Sequence, residues 1–406
     1  MNLDSVYGKL RIQSEAKLVL LVLDGLGDLA TAETGYQTPL EAADTPNLDA
    51  LAKQSAQGRI IPIAPGITPG SGPGHLGLFG YDPLEFEVGR GVIEALGLGI
   101  ELKPGDVAAR ANFCTLDQKD VVIDRRAGRI PTETCEKLCR ELSKIRRISD
   151  VDVIIRPGKS HRFVVVFRGA GLEGPLTDSD PHHEGEKIQP VAPVIENVKT
   201  RKAANVVNEF SKQALPLIRS EPLANGFLLR GIAHQPLMPT FPERYGLNAA
   251  SLAIYPMYRG LAQLVGMNAL PVGGDTVVDQ FRAYARSREQ FDYFFVHIKG
   301  TDMAGEDGDF GRKKAVIEEV DRALPILMEK KPDVLAITGD HSTPVAVRGH
   351  SWHPQPVLLH SRYSGWDGLD RFTERAGNLG SLGIFEAKYL IRLMQANAQL
   401  LDKFGA

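Results

Sequence analysis

The chain has 406 residues, of which 43% are hydrophobic and 24% are charged, and its formal net charge at pH 7 is −3. This length exceeds one ordinary hydrophobic core and predicts two domains, while the composition excludes a disordered or fibrous protein. The absence of a basic surplus argues against nucleic acid as the main partner, although local arginine clusters remain compatible with small anionic ligands.

The three cysteines are too few for a disulfide framework, which favours a reducing compartment. Cys135 and Cys139 lie four residues apart in a predicted helix and share a face, where they serve either core packing or a two-thiol metal site. The N-terminus lacks the pattern of a signal peptide, and the longest apolar run, Leu18–Leu23, has the length of a strand. We therefore expect a soluble, cytoplasmic protein that has no membrane partner.

The first predicted strand is the apolar run that follows Lys17 and ends at Leu23. Its composition is typical of a central parallel strand that is buried on both faces. Asp24 follows directly, at the position where open α/β sheets bind ligands, although an ordinary turn aspartate explains it equally well. Further along, Thr45 and Pro46 predict the start of a helix.

A glycine-rich stretch over residues 66–82 contains six glycines and two prolines. Because glycine permits positive φ and proline lacks a donor, we expect irregular backbone through Pro69–Gly74, with neither helix nor strand. Ser71 carries the hydroxyl in the middle of this stretch and has glycine on both sides, so a metal, a phosphate or a substrate could approach it. The alternative is a serine that only hydrogen-bonds its own turn.

Beyond about residue 104, short β-type runs over Val107–Leu116, Val151–Ile155 and Phe163–Phe167 alternate with a predicted helix over Glu133–Ile145. This pattern predicts a separate α+β domain. Basic residues concentrate there: Arg110, Arg125, Arg126, Arg129, Arg156, Lys159, His161 and Arg162. Arginines beside strands suit the capture of phosphate or carboxylate, but they also serve as ordinary solvated surface. His182 and His183 lie in a polar loop, as ligands or as surface residues.

From about Phe241 onward, strands and helices again alternate with α/β spacing. The predicted strands are Ala249–Tyr255, Phe291–Ile298 and Asp333–Thr338, and the predicted helices are Leu261–Gly266 and Lys313–Met328. We therefore expect an α/β fold with a mainly parallel sheet flanked by helices. Residues 1–104 and 241–406 would form one discontinuous domain, and residues 105–240 a smaller inserted α+β domain.

Three strands of the discontinuous domain end in residues that bind metals. Asp24 follows the first strand, and the others follow the strands Phe291–Ile298 and Asp333–Thr338: Asp302, Glu306, Asp340, His341, His350 and His353. Because parallel strands present their carboxyl ends at one edge of a sheet, we expect these side chains to converge. Carboxylates and imidazoles without thiolates suit Mn²⁺ or Zn²⁺, and there are enough of them for two ions. Such a pair would clamp a phosphoryl group and activate the Ser71 hydroxyl.

Motifs in order along nearly the whole chain carry a family resemblance. They are Val22–Gly25, Thr38–Ala43, Thr45–Leu48, Gly74–Leu76, Phe79–Pro83, Asp124–Arg129, Asp180–His182 and Gly339–Ser342. On these motifs the chain resembles the alkaline phosphatase superfamily and, within it, the archaeal-type cofactor-independent phosphoglycerate mutases. The resemblance implies an isomerase of glycolysis and gluconeogenesis that interconverts 2-phosphoglycerate and 3-phosphoglycerate through a phosphoserine, without 2,3-bisphosphoglycerate.

The resemblance also implies roles for individual residues. Ser71 would be the phosphorylated nucleophile. One divalent metal ion would be held by Asp24, Ser71, Asp340 and His341, and a second by Asp302, Glu306 and His350, with His353 the less favoured ligand. Mn²⁺ is the first choice, and Zn²⁺, Co²⁺ and Mg²⁺ are alternatives. The inserted domain would bind phosphoglycerate through Arg110, Asn112, Arg126, Arg129, His161, Arg162, Asp180 and His182, and the main domain would add Arg259.

Glu306 departs from the family pattern, because related mutases usually carry histidine four residues after the aspartate of the second metal site. A carboxylate there adds negative charge and favours Mn²⁺ over Zn²⁺. Alternatively, Glu306 is no ligand, and Asp307 or a water serves instead. Two rival hypotheses are a metal-dependent phosphohydrolase or phosphotransferase acting on another small phosphate, and a binding protein that has lost catalysis. The oligomeric state stays open between a monomer and a small homo-oligomer.

Overall fold

The computed structural model describes residues 3–405, in which helices and strands alternate along most of the chain. The helices are α1 Leu3–Leu10, α2 Pro39–Ala42, α3 Pro46–Ala52, α4 Ser71–Leu78, α5 Arg90–Gly97, α6 Thr132–Leu142, α7 Val198–Ile218, α8 Phe241–Tyr245, α9 Pro256–Leu264, α10 Val277–Ser287, α11 Gly300–Asp307, α12 Phe310–Met328, α13 Glu374–Gly377 and α14 Leu390–Asn397. Across the described residues, none of these helices is long and apolar enough to cross a membrane.

The strands are β1 Leu18–Leu23, β2 Ala56–Ile61, β3 Val107–Leu116, β4 Val122–Asp124, β5 Arg147–Ile148, β6 Val151–Pro157, β7 Arg162–Arg168, β8 Gly226–His234, β9 Ala249–Ser251, β10 Asn268–Ala269, β11 Tyr293–Ile298, β12 Val334–Thr338, β13 Gln355–Ser361 and β14 Gly383–Glu386. They form two sheets, one in each of the two units into which the chain divides. The first unit runs to Glu87 and resumes at Met238, and the second unit is Val88–Leu237.

The sheet of the first unit has eight strands in the order β10-β9-β11-β1-β12-β13-β2-β14. β1 lies between β11 and β12 and runs parallel to both, whereas β13 runs antiparallel to β12 and to β2. Every residue of β1, β11 and β12 is buried, as expected for parallel strands with packed faces. Val19 and Leu21 of β1, for example, share one core cluster with Phe281 of α10 and Leu324 of α12. The expected α/β fold is confirmed.

The register of the three central strands fixes where the sheet ends. Leu23 of β1 is level with Ile298 of β11, and Val22 is level with Thr338 of β12. Because the strands are parallel and end at nearly the same height, the residues that follow them meet at one edge. The sequence-based expectation that these strand ends converge is confirmed.

The sheet of the second unit has six strands, in the order β4-β3-β7-β6-β5, with β8 paired to β3. β3 runs antiparallel to β7 and to β8. Aromatic side chains of this sheet pack against α6 and α7; Phe113 of β3 and Phe163 of β7 stack with ring centroids 4.4 Å apart. The sequence-based expectation did not include β8, and α5 packs against β3 within this unit. The functional division of the chain at residues 104 and 241 stays a prediction.

The prediction of irregular backbone through Pro69–Gly74 is wrong from Ser71 onward, where α4 begins. Gly70 is the N-cap, with φ −83° and ψ 163°, and Pro73 is the third residue of the helix. A backbone N–H in the first turn has no intrahelical acceptor, so a proline there sacrifices no hydrogen bond. Ser71 is therefore the first residue of a helix that begins in the middle of the glycine-rich stretch.

The predicted strand Ala249–Tyr255 is confirmed only for the three residues of β9. Pro256 begins α9, which starts earlier than predicted because proline is favoured in the first turn of a helix. The cysteines of α6 share its buried face, with the Sγ atoms of Cys135 and Cys139 4.0 Å apart inside the core of the second unit. This position supports the core-packing interpretation of that pair.

Candidate active site

Four side chains converge where β1 and β12 end, and all belong to the first unit. His341 Nε2 lies 3.4 Å from Asp24 Oδ1, 3.1 Å from Asp340 Oδ2 and 3.2 Å from Ser71 Oγ. Asp24, Asp340 and His341 have no exposed surface, and Ser71 enters this group from the first residue of α4. The structure brings together the four residues that the resemblance assigned to one metal ion.

Two oxygens of this group are buried without a hydrogen-bond donor, Asp24 Oδ1 and Asp340 Oδ2. Buried carboxylate oxygens almost always have a partner, so two such atoms facing one imidazole nitrogen call for an explanation. A divalent cation provides it, because two carboxylate oxygens, one imidazole nitrogen and one hydroxyl form a donor set that Mn²⁺ or Zn²⁺ accepts. The residues present thus fit a metal ion.

The protonation states of the group also suit a cation. Burial alone would raise the pKa of Asp24, but a hydrogen bond from His297 and the nearby charge of Lys299 hold that pKa well below its usual value. Burial lowers the pKa of His341, against the opposing charges of Asp340 and Asp24. Near neutral pH the carboxylate is therefore ionised and the imidazole is neutral, and these are the forms that bind metals.

A second group lies beside the first and consists of Asp302, Glu306 and His350. His350 Nε2 is 3.6 Å from Asp302 Oδ1 and 3.9 Å from Glu306 Oε1. Asp302 and Glu306 lie one turn apart on α11, and the His350 ring stacks on His341 with centroids 3.6 Å apart. His350 Nδ1 donates to the Pro69 carbonyl over 2.9 Å, which leaves Nε2 free to face the carboxylates.

Glu306 lies at the solvent-facing rim of this second group, with 55% of its side chain exposed. Its neighbour Asp307 instead forms an ion pair with Arg312, at 2.7 Å. His353 Nδ1 lies 3.0 Å from the Ser351 hydroxyl, outside both groups. Of Glu306 and Asp307, the structure places Glu306 beside His350.

Sequence reasoning missed Lys299, the residue directly after β11. Its Nζ contacts Asp302 Oδ2, lies 3.2 Å from Asp24 Oδ2 and donates to the Tyr258 hydroxyl over 2.8 Å. Burial would lower the pKa of Lys299, but Asp24 and Asp302 raise it, so the side chain carries a positive charge. The available signal was its position directly after a strand of the central sheet, at the edge where the acids and histidines converge.

Two buried histidines were also missed. His75 lies one turn after Ser71 on α4; its Nδ1 donates to the Ser71 carbonyl over 2.8 Å and lies 3.0 Å from Asp340 Oδ2. His297 Nε2 is 2.8 Å from Asp24 Oδ2. A histidine inside the apolar strand β11 was the available signal for His297. His297 thus contacts a carboxylate of the first group, and His75 lies beside the other.

In the second unit, four arginines surround His161: Arg110, Arg126, Arg129 and Arg162. Burial lowers the pKa of His161 most, and these four positive charges lower it further, to about 4. His161 is therefore neutral near pH 7, and its surroundings are strongly positive. We call these five residues the arginine cluster.

Neighbouring strands extend this cluster. Asn112 of β3 is in register with Arg162 of β7, and its buried Oδ1 has no hydrogen-bond donor. Arg230 of β8 is in register with Arg110, whose Nε lies 3.1 Å from Glu94 Oε1. Arg230 escaped sequence reasoning because β8 was not predicted as a strand.

The two remaining candidates of the second unit, Asp180 and His182, already have polar partners in the structure. Both carboxylate oxygens of Asp180 accept hydrogen bonds from Arg125, at 3.0 and 2.7 Å. His182 is exposed, with Nε2 3.5 Å from Asp178 Oδ2, and its backbone N–H donates to Asp180. In the first unit, Arg259 lies half-buried on α9, next to Tyr258.

Comparisons with known proteins agree on one family. The family model described as 2,3-bisphosphoglycerate-independent phosphoglycerate mutase matches residues 52–224. A relative from Aquifex aeolicus, named a probable 2,3-bisphosphoglycerate-independent phosphoglycerate mutase, is 48% identical across 99% of this chain and 100% of its own. A relative of the same name from Thermus thermophilus is 46% identical over 100% of both chains.

Two solved structures are similar to this chain over almost their whole length. A protein from Pyrococcus horikoshii is 30% identical, with a TM-score of 0.83 over 96% of this chain and 99% of that one. A cofactor-independent phosphoglycerate mutase from Thermoplasma acidophilum is also 30% identical, with a TM-score of 0.73 over 94% and 100%. The resemblance seen in the sequence motifs is confirmed, and the chain belongs to the 2,3-bisphosphoglycerate-independent phosphoglycerate mutase family.

Proposed function

We propose that this chain interconverts 2-phosphoglycerate and 3-phosphoglycerate without 2,3-bisphosphoglycerate, and that Ser71 carries the phosphoryl group between the two positions. Family membership over the full length supports the reaction. The convergence of Ser71 Oγ with His341 Nε2, Asp24 Oδ1 and Asp340 Oδ2 is the observation that carries the role of Ser71. A hydroxyl that lies among ionised carboxylates and a neutral imidazole is in a suitable position to act as a metal-activated nucleophile.

Two divalent metal ions, with Mn²⁺ as the first choice, are part of this proposal. Asp24, Ser71, Asp340 and His341 would hold one ion; Asp302, Glu306 and His350 would hold the other. When bound, the ions neutralise the charge of the phosphoryl group and make the serine hydroxyl more acidic. The group of Asp302, His341 and His350 also has metal-binding spacing, but His341 Nδ1, the nitrogen 4.0 Å from Asp302 Oδ1, lies 3.0 Å from Thr343 Oγ1.

Ser71 Oγ would form a bond to phosphorus as the bond between phosphorus and the substrate oxygen breaks. The proton lost from Oγ ends on the released glycerate hydroxyl, and the reverse transfer to the other hydroxyl returns it. Because α4 begins at Ser71, the phosphoserine would lie at the positive end of that helix, which favours an anion. His75 holds the backbone of this position through its bond to the Ser71 carbonyl.

The arginine cluster of the second unit would bind the carboxylate and phosphate of the substrate. Planar guanidinium groups match both anions with paired hydrogen bonds. The depressed pKa of His161 supports a positive potential at this place, and the unpartnered Asn112 Oδ1 can accept from a glycerate hydroxyl. Asp180, paired with Arg125, and His182 would also belong to this substrate-binding region. In the first unit, Arg259 would offer a positive charge to the phosphoryl group.

The experiment is a ³¹P NMR assay of the full-length chain, stripped of metal with a chelator and reloaded with Mn²⁺. Started from 3-phosphoglycerate, without 2,3-bisphosphoglycerate, it should produce 2-phosphoglycerate and little inorganic phosphate. Inorganic phosphate as the main product would instead identify a phosphohydrolase. An inactive protein that still binds Mn²⁺ would contradict catalysis altogether and support the binding-protein hypothesis.

We also propose that the chain acts in the cytoplasm, in glycolysis and gluconeogenesis. The substrates proposed above are small phosphorylated carboxylic acids, which support this placement. The cysteines support a reducing compartment, since all three are buried and free.

A further inference from the structure

Thr343 lies between the two candidate metal groups and contacts one member of each. It is fully buried. Its hydroxyl donates to Asp302 Oδ1 over 2.7 Å and lies 3.0 Å from His341 Nδ1. Asp302 Oδ1 also lies 3.6 Å from His350 Nε2, and His341 faces Asp24, Asp340 and Ser71 with its other nitrogen. One hydroxyl therefore joins the two groups.

The proton count fixes the direction of both hydrogen bonds. An ionised carboxylate only accepts, so the single hydroxyl proton of Thr343 goes to Asp302. The hydroxyl oxygen must then accept from His341, which places the imidazole proton on Nδ1. Nε2 keeps its lone pair and points at Asp24, Asp340 and Ser71. The hydroxyl thus selects the His341 tautomer that can bind a metal.

Hydrogen bonds at both its N–H and its carbonyl hold the backbone of Thr343 and so help to position its hydroxyl. Lys313 Nζ donates to the Thr343 carbonyl over 2.9 Å and to Asp28 over 2.8 Å, and Lys313 is itself fully buried. The Thr343 N–H donates to the Gly27 carbonyl over 3.1 Å. The loops that follow β1 and β12 are thereby tied together around this residue.

The chain leaves space for the Thr343 hydroxyl at a neighbouring glycine. Gly25 has a φ of +63°, and a Cβ there would overlap both Thr343 Oγ1 and Asp302 Oδ1. Glycine at this position serves the turn after β1 and also permits the close approach of the hydroxyl. The hydroxyl contacts of Thr343 therefore depend both on the loop after β12, which contains Thr343, and on the glycine in the turn after β1.

We propose that Thr343 is a positioning residue for both metal groups: its hydroxyl sets the His341 tautomer and orients Asp302, so that loss of the hydroxyl weakens metal binding at both. This proposal rests on one part of the proposed function, namely that the two groups bind divalent metal ions. The family assignment and the motifs gave no role to this threonine.

The test compares Thr343→Val, which keeps the shape and removes the hydroxyl, with Thr343→Ser, which keeps the hydroxyl. Thr338→Val is the matched control, because Thr338 is equally buried, and its hydroxyl donates to the Pro356 carbonyl and not to a candidate ligand. Free Mn²⁺ is measured by EPR during titration of the full-length, chelator-treated proteins. We expect Thr343→Val to bind Mn²⁺ about 10- to 100-fold more weakly, and Thr343→Ser and Thr338→Val to bind it like the wild type.

A second readout needs neither metal nor activity. Imidazole ¹⁵N NMR of the metal-free protein reports the tautomer of His341, with its signals assigned by their loss in His341→Gln. The wild type and Thr343→Ser should show the Nδ1–H tautomer, and Thr343→Val should lose that preference. If Thr343→Val does not fold, Thr343→Ala removes the same hydroxyl without adding a methyl group against Asp302.

Wild-type Mn²⁺ affinity and an unchanged His341 tautomer in Thr343→Val would overturn the proposal. So would an equal loss of affinity in Thr338→Val, because the effect would then come from general destabilisation. Wild-type protein that binds Mn²⁺ but does not interconvert the phosphoglycerates would contradict the proposed function instead, and the comparison of the Thr343 variants would still decide the role of the hydroxyl.

Discussion

The first candidate metal group of the first unit and the exposed arginines of the arginine cluster in the second unit are built in opposite ways. Asp24, Asp340 and His341 have no exposed surface and lie within three residues of the ends of buried strands. Arg126, Arg129 and Arg162 are exposed, and the described residues form no side-chain ion pair with them. Buried side chains have little room to move, which suits the binding of a small cation. The exposed arginines keep long, mobile side chains that can follow a larger anion.

This difference predicts two kinds of functional loss. A change in the first unit should remove chemistry or metal, whereas a change in the arginine cluster should weaken substrate binding and leave the metal in place. Three substitutions test that distinction, from the largest expected effect to the smallest, and a fourth prediction concerns the stability of the first unit.

Ser71→Ala removes the proposed nucleophile and should lower mutase activity at least about 10³-fold, because loss of a covalent nucleophile removes a whole reaction path. Ser55→Ala is the control, since Ser55 is a buried serine of the same unit whose hydroxyl donates to the Leu51 carbonyl. Both are measured by the ³¹P NMR assay. Activity in Ser71→Ala that equals the control would end the proposal of a phosphoserine.

Arg162→Met should raise the KM for 3-phosphoglycerate about 10- to 100-fold, because one charge-assisted hydrogen bond contributes about 1.5–3 kcal/mol. Mn²⁺ affinity, measured by EPR, should not change. Arg147→Met is the control, since Arg147 is an exposed arginine of the same unit that lies 3.7 Å from Asp152. If Arg162→Met instead weakens Mn²⁺ binding and leaves KM unchanged, the division of labour between the two units is wrong.

Glu306→His should shift the preference of the second metal group from Mn²⁺ toward Zn²⁺, by about tenfold in relative affinity, because imidazole is a softer, uncharged ligand. Competition between the two ions for the metal-free protein measures this ratio. Asp307→His is the control, as Asp307 pairs with Arg312. An unchanged ratio in Glu306→His would show that Glu306 does not bind the metal.

The fourth prediction concerns Glu374, a buried carboxyl of the first unit that is not assigned to a metal, and its effect is on stability. Burial raises its pKa to about 7 from the usual 4.5. The folded state therefore keeps a proton that the unfolded state has lost, so stability falls as pH rises from about 4.5 to 7. The full difference corresponds to about 3 kcal/mol. In urea unfolding, Glu374→Gln should lose less stability than the wild type over that range, and parallel curves would contradict the assignment.

The sequence was most informative where buried strands end. The apolar run before Asp24 and the strand before Asp340 and His341 predicted both the sheet and the convergence of these residues. Parallel pairing makes such a prediction possible, because strand ends share one edge. The partners of these ligands could not be predicted in the same way. That Thr343 meets Asp302 and His341 depends on side-chain orientations and on space at Gly25, which a linear pattern does not contain.

The prediction for Pro69–Gly74 failed for a different reason. Glycine and proline were counted as helix breakers without regard to position, yet Gly70 and Pro73 occupy the N-cap and the first turn of α4, where both are tolerated. Arg230 was missed because its strand, β8, was not recognised. The first error came from ignoring position within a helix, and the second came from an unrecognised strand.

Lys299 has a consequence for the charge balance of the folded chain. Its ammonium group contacts the carboxylates of Asp24 and Asp302, one from each metal group. Ionised carboxylates gathered in a buried site repel one another, and an unpaired buried charge is costly. Lys299 places a positive charge beside both carboxylates, so it reduces this repulsion in the folded chain before any metal is bound.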